Sequence, residues 1–130
     1  AYRRALAGAV RRAGPPPGPP VRVTGLVLQD DVHLLAVDSP WLCSVAAHFA
    51  HAAPAATRTD GMRLKDRLHL SLAYGFDPAA AGALGGLAKE WVGEWADPSA
   101  PASWQIRLYH RTAGAEWIVR ESLDVETRQV

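Results

Sequence analysis

Six residues near the start of the chain, "PPPGPP" from Pro15 to Pro20, set the first constraint on its fold. Proline lacks a backbone N–H and fixes φ, so this run can neither continue a helix nor join a strand ladder. Whatever precedes it must finish before it. The preceding "AYRRALAGAVRRAG" places Tyr2, Leu6, Ala9, Val10 and Ala13 at three- and four-residue spacings, a short amphipathic helix closed by Gly14 with a solvated basic face. The prolines are then an extended connector, with a role as ligand for a partner as the lesser alternative. Beyond them, "VRVTGLVLQDDVHLLAV" holds two β-rich segments, Val21 to Leu28 and Val32 to Val37, separated by "QDD" as in a hairpin.

The rest of the chain is punctuated by helix-start signals. Ser39 followed by Pro40 is a cap and first-position pair, and apolar residues at 41, 42, 45, 46 and 49 carry a helix to about Pro54, with "TRTDGM" as the next loop. "RLHLSLAYGF" reads as a strand with Leu68, Leu70, Leu72 and Tyr74 on one face and His69, Ser71 and Ala73 on the other. Asp77 and Pro78 then open a second long helix, with Leu84, Leu87, Ala88, Trp91 and Trp95 on one face. Gly82, Gly85 and Gly86 make it dependent on packing. A closing hairpin is expected from Trp104 to Arg111 and from Glu116 to Glu121 around "TAGA", with a polar tail after Leu123. Strands and helices interleave with two antiparallel pairs, which predicts an α+β fold, an antiparallel sheet with packed helices.

Composition narrows the function classes. A chain of 130 residues with 48% hydrophobic and 21% charged residues suits one globular domain. A net charge of +1 gives no broad nucleic-acid footprint, so any phosphate binding must be local. The lone cysteine, Cys43, cannot form an internal disulfide and reads as a small buried hydrophobe, which favours a reducing, intracellular compartment. No apolar run is long enough to span a membrane and the first residues lack a secretory h-region. The start on Ala1, on what reads as mid-helix, suggests a fragment.

The chemistry-bearing pair is His69 and Ser71. Side chains two apart on a strand share a face, roughly 7 Å apart at the backbone, so both can meet one ligand group. An imidazole moves protons near neutral pH and a hydroxyl donates to a phosphate oxygen, which suits phosphoester cleavage. One histidine cannot be acid and base at once, so an in-line displacement needs a second proton-transfer group opposite. On the residues alone, a structural role for the pair outweighs this one. The same pattern recurs at His110-Arg111-Thr112, where a solvated strand end is expected, and His33 alternates into a core-like strand. His48 and His51 lack further ligands at recognisable spacing, so no metal or cofactor is expected. Neither a phosphate-cradling glycine loop nor a Gly-x-Ser-x-Gly elbow is present.

The flanks add a resemblance. "RLHLSLAYGFDPAAAGALGGLAKEW" followed by "ASWQIRLYHRTAGAEWIVRESLDV" resembles the 2H phosphoesterase region of the ubiquitin-associated and Src-homology-3 domain-containing phosphatases, the suppressors of T-cell receptor signalling. "VHLLAVDSPWLCSVAAHFA" is similar to the family's preceding strand and helix, and the likeness runs from about Val21 to Leu123. It implies a two-lobed 2H phosphoesterase fold in which two His-x-Ser/Thr strands face each other across a cleft, with hydrolysis of 2′,3′-cyclic or linear phosphodiesters. His69 takes the place of one motif histidine and Ser71 that of the hydroxyl residue, usually threonine in the family. Tyr74 and Phe76 would line the mouth and stack on a base, with packing as their competing role.

The family's first motif is missing from residues 1–68, because His33-Leu34-Leu35 lacks the hydroxyl, and the resemblance places it upstream of Ala1. Residues 1–123 are thus expected to be a partial 2H phosphoesterase domain holding half of an active site, with 124–130 a tail. The implied ligand is a small phosphoester or nucleotide. Ubiquitin and signalling partners would be met by other domains of a cytoplasmic, and also nuclear, parent. The alternative is a non-catalytic scaffold module in which "HLSL" survives as a sheet element.

Overall fold

A computed structural model of the protein describes residues 1–53, 64, 67–94 and 103–126. The expected loop at 57–62, the helix ends at Pro54 and Trp95, and the tail beyond Glu126 lie outside them. Among the described residues three α-helices and five strands in two antiparallel sheets give an α+β fold. Among the described residues no helix is long and apolar enough to cross a membrane. The chain divides into two compact units, Ala1–Pro20 with Pro40–Lys65 and Pro101–Val130, and Val21–Ser39 with Asp66–Ala100.

The first unit contains helices α1 (Tyr2–Ala13) and α2 (Pro40–Ala52) and the hairpin β4 (Trp104–Arg111) and β5 (Trp117–Val125). Helix α1 stops where expected. Gly14 adopts φ 70° and its N–H reaches the carbonyls of Val10 and Arg11, a closure open to glycine because it has no Cβ to clash. Arg11 and Arg12 occupy the last turn, where cations meet the negative end of the helix dipole. Leu6 and Ala9 of α1 and Val45 of α2 form the buried centre, with Trp41, Phe49, Ile106, Leu108 and Leu123 packed around it. The Trp41 indole donates to the Gly14 carbonyl at 2.7 Å, tying the start of α2 to the end of α1.

Strand β5 runs beyond the expected end. Asp124 and Val125 lie opposite Gln105 and Trp104, so the ladder continues past Leu123. Its polar residues remain in the strand because the outward face of a hairpin accepts them. At the turn, the Thr112 N–H bonds to the Glu116 carbonyl and the Ala115 N–H to the Thr112 carbonyl, with Ala115 at φ 63°.

The second unit contains strands β1 (Arg22–Leu28), β2 (Val32–Asp38) and β3 (Leu68–Tyr74) in the order β1-β2-β3, and helix α3 (Ala81–Glu94). The β1–β2 pair is the expected hairpin. The Asp77 carboxylate accepts the Ala79 N–H at 3.0 Å and so caps the chain at Pro78 as expected. The first turn is however 3-10, Pro78–Ala80, before α3 begins. Gly85 of α3 sits where a Cβ would come within 3.3 Å of a Leu28 methyl and 3.7 Å of the His33 ring, so the absent side chain lets the helix lie close on the sheet.

Candidate active site

Strand β2 alternates without interruption, so Val32, Leu34, Ala36 and Asp38 share one face and His33, Leu35 and Val37 the other. Directly opposed residues in an antiparallel pair project to the same side. His69 lies opposite Ala36 and Ser71 opposite Leu34, which puts both on the Asp38 face of the sheet, as the spacing alone requires. Both are exposed. Helix α3 packs over the other face, against Leu28 and His33, and among the described residues of this unit no helix lies on the His69 face.

The expected alternation fails one residue later. Leu34 is opposite Ser71 while His33 is opposite Ala73, so Leu72 has no partner of its own and forms a bulge. Ala73 therefore moves to the His33 face, and Tyr74, opposite Val32, moves to the face of His69 and Ser71. Tyr74 is 77% exposed there, a ring beside the hydroxyl rather than part of the packed side. Phe76 is placed differently. Its ring lies 4.7 Å from that of His33, on the helix-covered side, and it is partly buried. Of the four candidate residues, three share one open face and Phe76 supports the opposite one.

The strand register adds two charged residues not singled out by motif. Arg22 of β1 lies opposite Asp38 of β2, and its Nη2 donates to the Asp38 carboxylate at 3.0 Å. Asp38 stands two residues along β2 from the partner of His69, a diagonal neighbour at about 7–8 Å. Arg67, exposed, immediately precedes β3. The face thus carries an imidazole, a hydroxyl and a phenol, with a guanidinium and a carboxylate at one end. The signal for the charged pair was present as even spacing from Leu34 and Ala36 to Asp38, but only pairing with β3 brings it beside His69.

The other histidines fall elsewhere. His33 is 2% exposed, and its Nδ1 finds no hydrogen-bond partner among the described residues. His110 is exposed on β4, with its Nδ1 3.3 Å from the Arg120 guanidinium, a position at the strand end as expected. Among the described residues no group of three histidine, cysteine or acidic side chains is placed to hold a metal ion.

A shallow groove of about 290 Å³ lies in the first unit, lined by Val10, Gly14, Pro16, Trp41 and Val125 among others. None of the candidate residues contributes to it. The His69 face is an exposed sheet surface with chemistry-bearing groups, and among the described residues of its own unit no enclosing wall stands around it. Comparison of the chain with protein-family models, with curated proteins and with solved structures gives no match.

Proposed function

We propose that the chain is part of a 2H-type phosphoesterase domain in which His69 is the general acid or base and Ser71 holds the phosphoryl oxygens. The observation that carries the reading is the shared exposed face of His69, Ser71 and Tyr74. A phosphodiester laid along β3 meets a proton-transfer group, a hydroxyl donor and an aromatic ring in that order. Arg22 lies on the same face at the end beyond His69, where its charge is offset by its pairing with Asp38. His69 supplies one of the two proton-transfer groups, and the reaction requires a second facing it across the phosphorus. The substrate class is a 2′,3′-cyclic or linear phosphodiester, and the setting is a reducing intracellular one in which Cys43 stays a thiol.

The test is hydrolysis of a 2′,3′-cyclic nucleotide by the parent protein. His69→Ala should abolish turnover and leave the melting temperature within about 2 °C, because an exposed side chain contributes little to folding. Unchanged turnover removes His69 from the mechanism. The openness of the face favours one competing reading, a non-catalytic module that positions neighbouring domains. That reading gains if neither the parent protein nor any His69 variant turns over a phosphodiester.

A further inference from the structure

The outward face of the β4–β5 hairpin carries a second cluster, independent of His69. Opposed pairs place Gln105 with Asp124, Arg107 with Ser122, Tyr109 with Val119 and Arg111 with Trp117 on this side. Ile106, Leu108 and Leu123 turn instead to the core between the helices. At the turn end, Tyr109, Val119 and Trp117 are 44%, 46% and 63% exposed. The two rings meet edge to face with centroids 6.4 Å apart, and the Arg111 guanidinium lies 5.7 Å from the Trp117 ring centre.

The charge on this face is unbalanced. Arg107 donates from Nε and Nη2 to the Gln105 amide oxygen at 3.3 and 2.9 Å, a neutral partner that orients the guanidinium without cancelling it. Among the described residues neither Arg107 nor Arg111 has a carboxylate within ion-pair distance. Asp124, the acid on this face, lies at the far end and accepts from Gln105 Nε2 at 2.9 Å. The two cations stand four residues apart on one strand, about 14 Å, a spacing that suits a chain of phosphates.

We infer that this face binds single-stranded nucleic acid, with unpaired bases stacked on Trp117 and Tyr109 and the flanking phosphates met by Arg107 and Arg111. Every base offers a π-face to such a platform, and guanidinium groups form the stronger, charge-assisted bonds to phosphate oxygens. A purely apolar protein partner would leave both guanidiniums without a counter-charge. A duplex hides the base faces that the rings would stack upon.

Fluorescence anisotropy of the full chain with a short labelled oligodeoxythymidylate tests this, with duplex DNA of equal length and polyglutamate as competitors. The single strand should bind, and both competitors should displace it poorly. Trp117→Ala should weaken binding roughly tenfold and Trp117→Phe should retain most of it, since stacking needs an aromatic face. Arg111→Gln should reduce the slope of log affinity against log salt by about one. Trp117 is exposed, so the circular dichroism of both Trp117 variants should match the parent's. Equal displacement by polyglutamate or duplex, or unchanged binding by Trp117→Ala, overturns the inference.

Discussion

Tyr74 shares a face of β3 with Ser71, although it stands three positions further along the strand, because Leu72 between them has no partner on β2. The bulge re-aims one aromatic ring toward the imidazole and hydroxyl, and leaves the second, Phe76, against His33. The two aromatic residues of "AYGF" therefore have separable roles. Tyr74→Ala should weaken binding of a nucleoside 3′-monophosphate by roughly fivefold while leaving stability unchanged. Phe76→Ala should instead cost about 2 kcal/mol of folding free energy, below the range for a fully buried ring because Phe76 is only partly buried. Ligand titration and urea unfolding of the two variants distinguish these outcomes, and a reversed pattern would assign the roles the other way.

Among the described residues the Nδ1 of the buried His33 ring has no hydrogen-bond partner, and the ring packs on Phe76 and beneath Gly85. A buried polar atom without a partner carries its desolvation cost into the folded state. His33→Leu, which removes that atom at similar volume, is expected to raise stability by about 1 kcal/mol, read from the urea midpoint at constant slope. A clear loss of stability would mean that the imidazole makes an interaction worth more than its desolvation.

The neighbouring glycines of α3 separate propensity from packing. A Cβ at Gly86 would meet nothing within 4 Å, so Gly86→Ala should stabilise the helix by about 1 kcal/mol. At Gly85 the added methyl would stand 3.3 Å from Leu28 Cδ1, and anything larger must displace the sheet or the helix. Gly85→Leu should therefore lower the melting temperature while Gly86→Ala raises it. Equal effects at the two positions would show that α3 does not rest on Leu28 and His33.

In the first unit, the bond from the Trp41 indole to the Gly14 carbonyl joins two helices at the proline connector. Trp41→Phe keeps most of the ring packing and deletes the donor, so it should cost about 1 kcal/mol. Trp41→Ala should cost about 3 kcal/mol, because the packing of a large aromatic against the core is lost as well. Chemical denaturation of both variants checks the difference; equal losses would place the whole contribution in the bond, and no loss in Trp41→Phe would place it in the ring.

Local signals specified what depends on local chemistry. The prolines after Gly14 ended α1, Asp77 and Pro78 opened the second long helix, and the two hairpins follow from β-rich runs around short polar turns. The common face of His69 and Ser71 was also legible, since side chains two apart on an uninterrupted strand must point the same way. Tertiary structure decided the rest, because pairing between β2 and β3 joins residues far apart in the chain and no local pattern announces its register. That pairing created the bulge at Leu72, brought Tyr74 to the candidate site, removed Phe76 from it and set Asp38 and Arg22 beside His69. A period of two assigns faces only while each residue has a partner; one unpaired residue reverses every assignment after it.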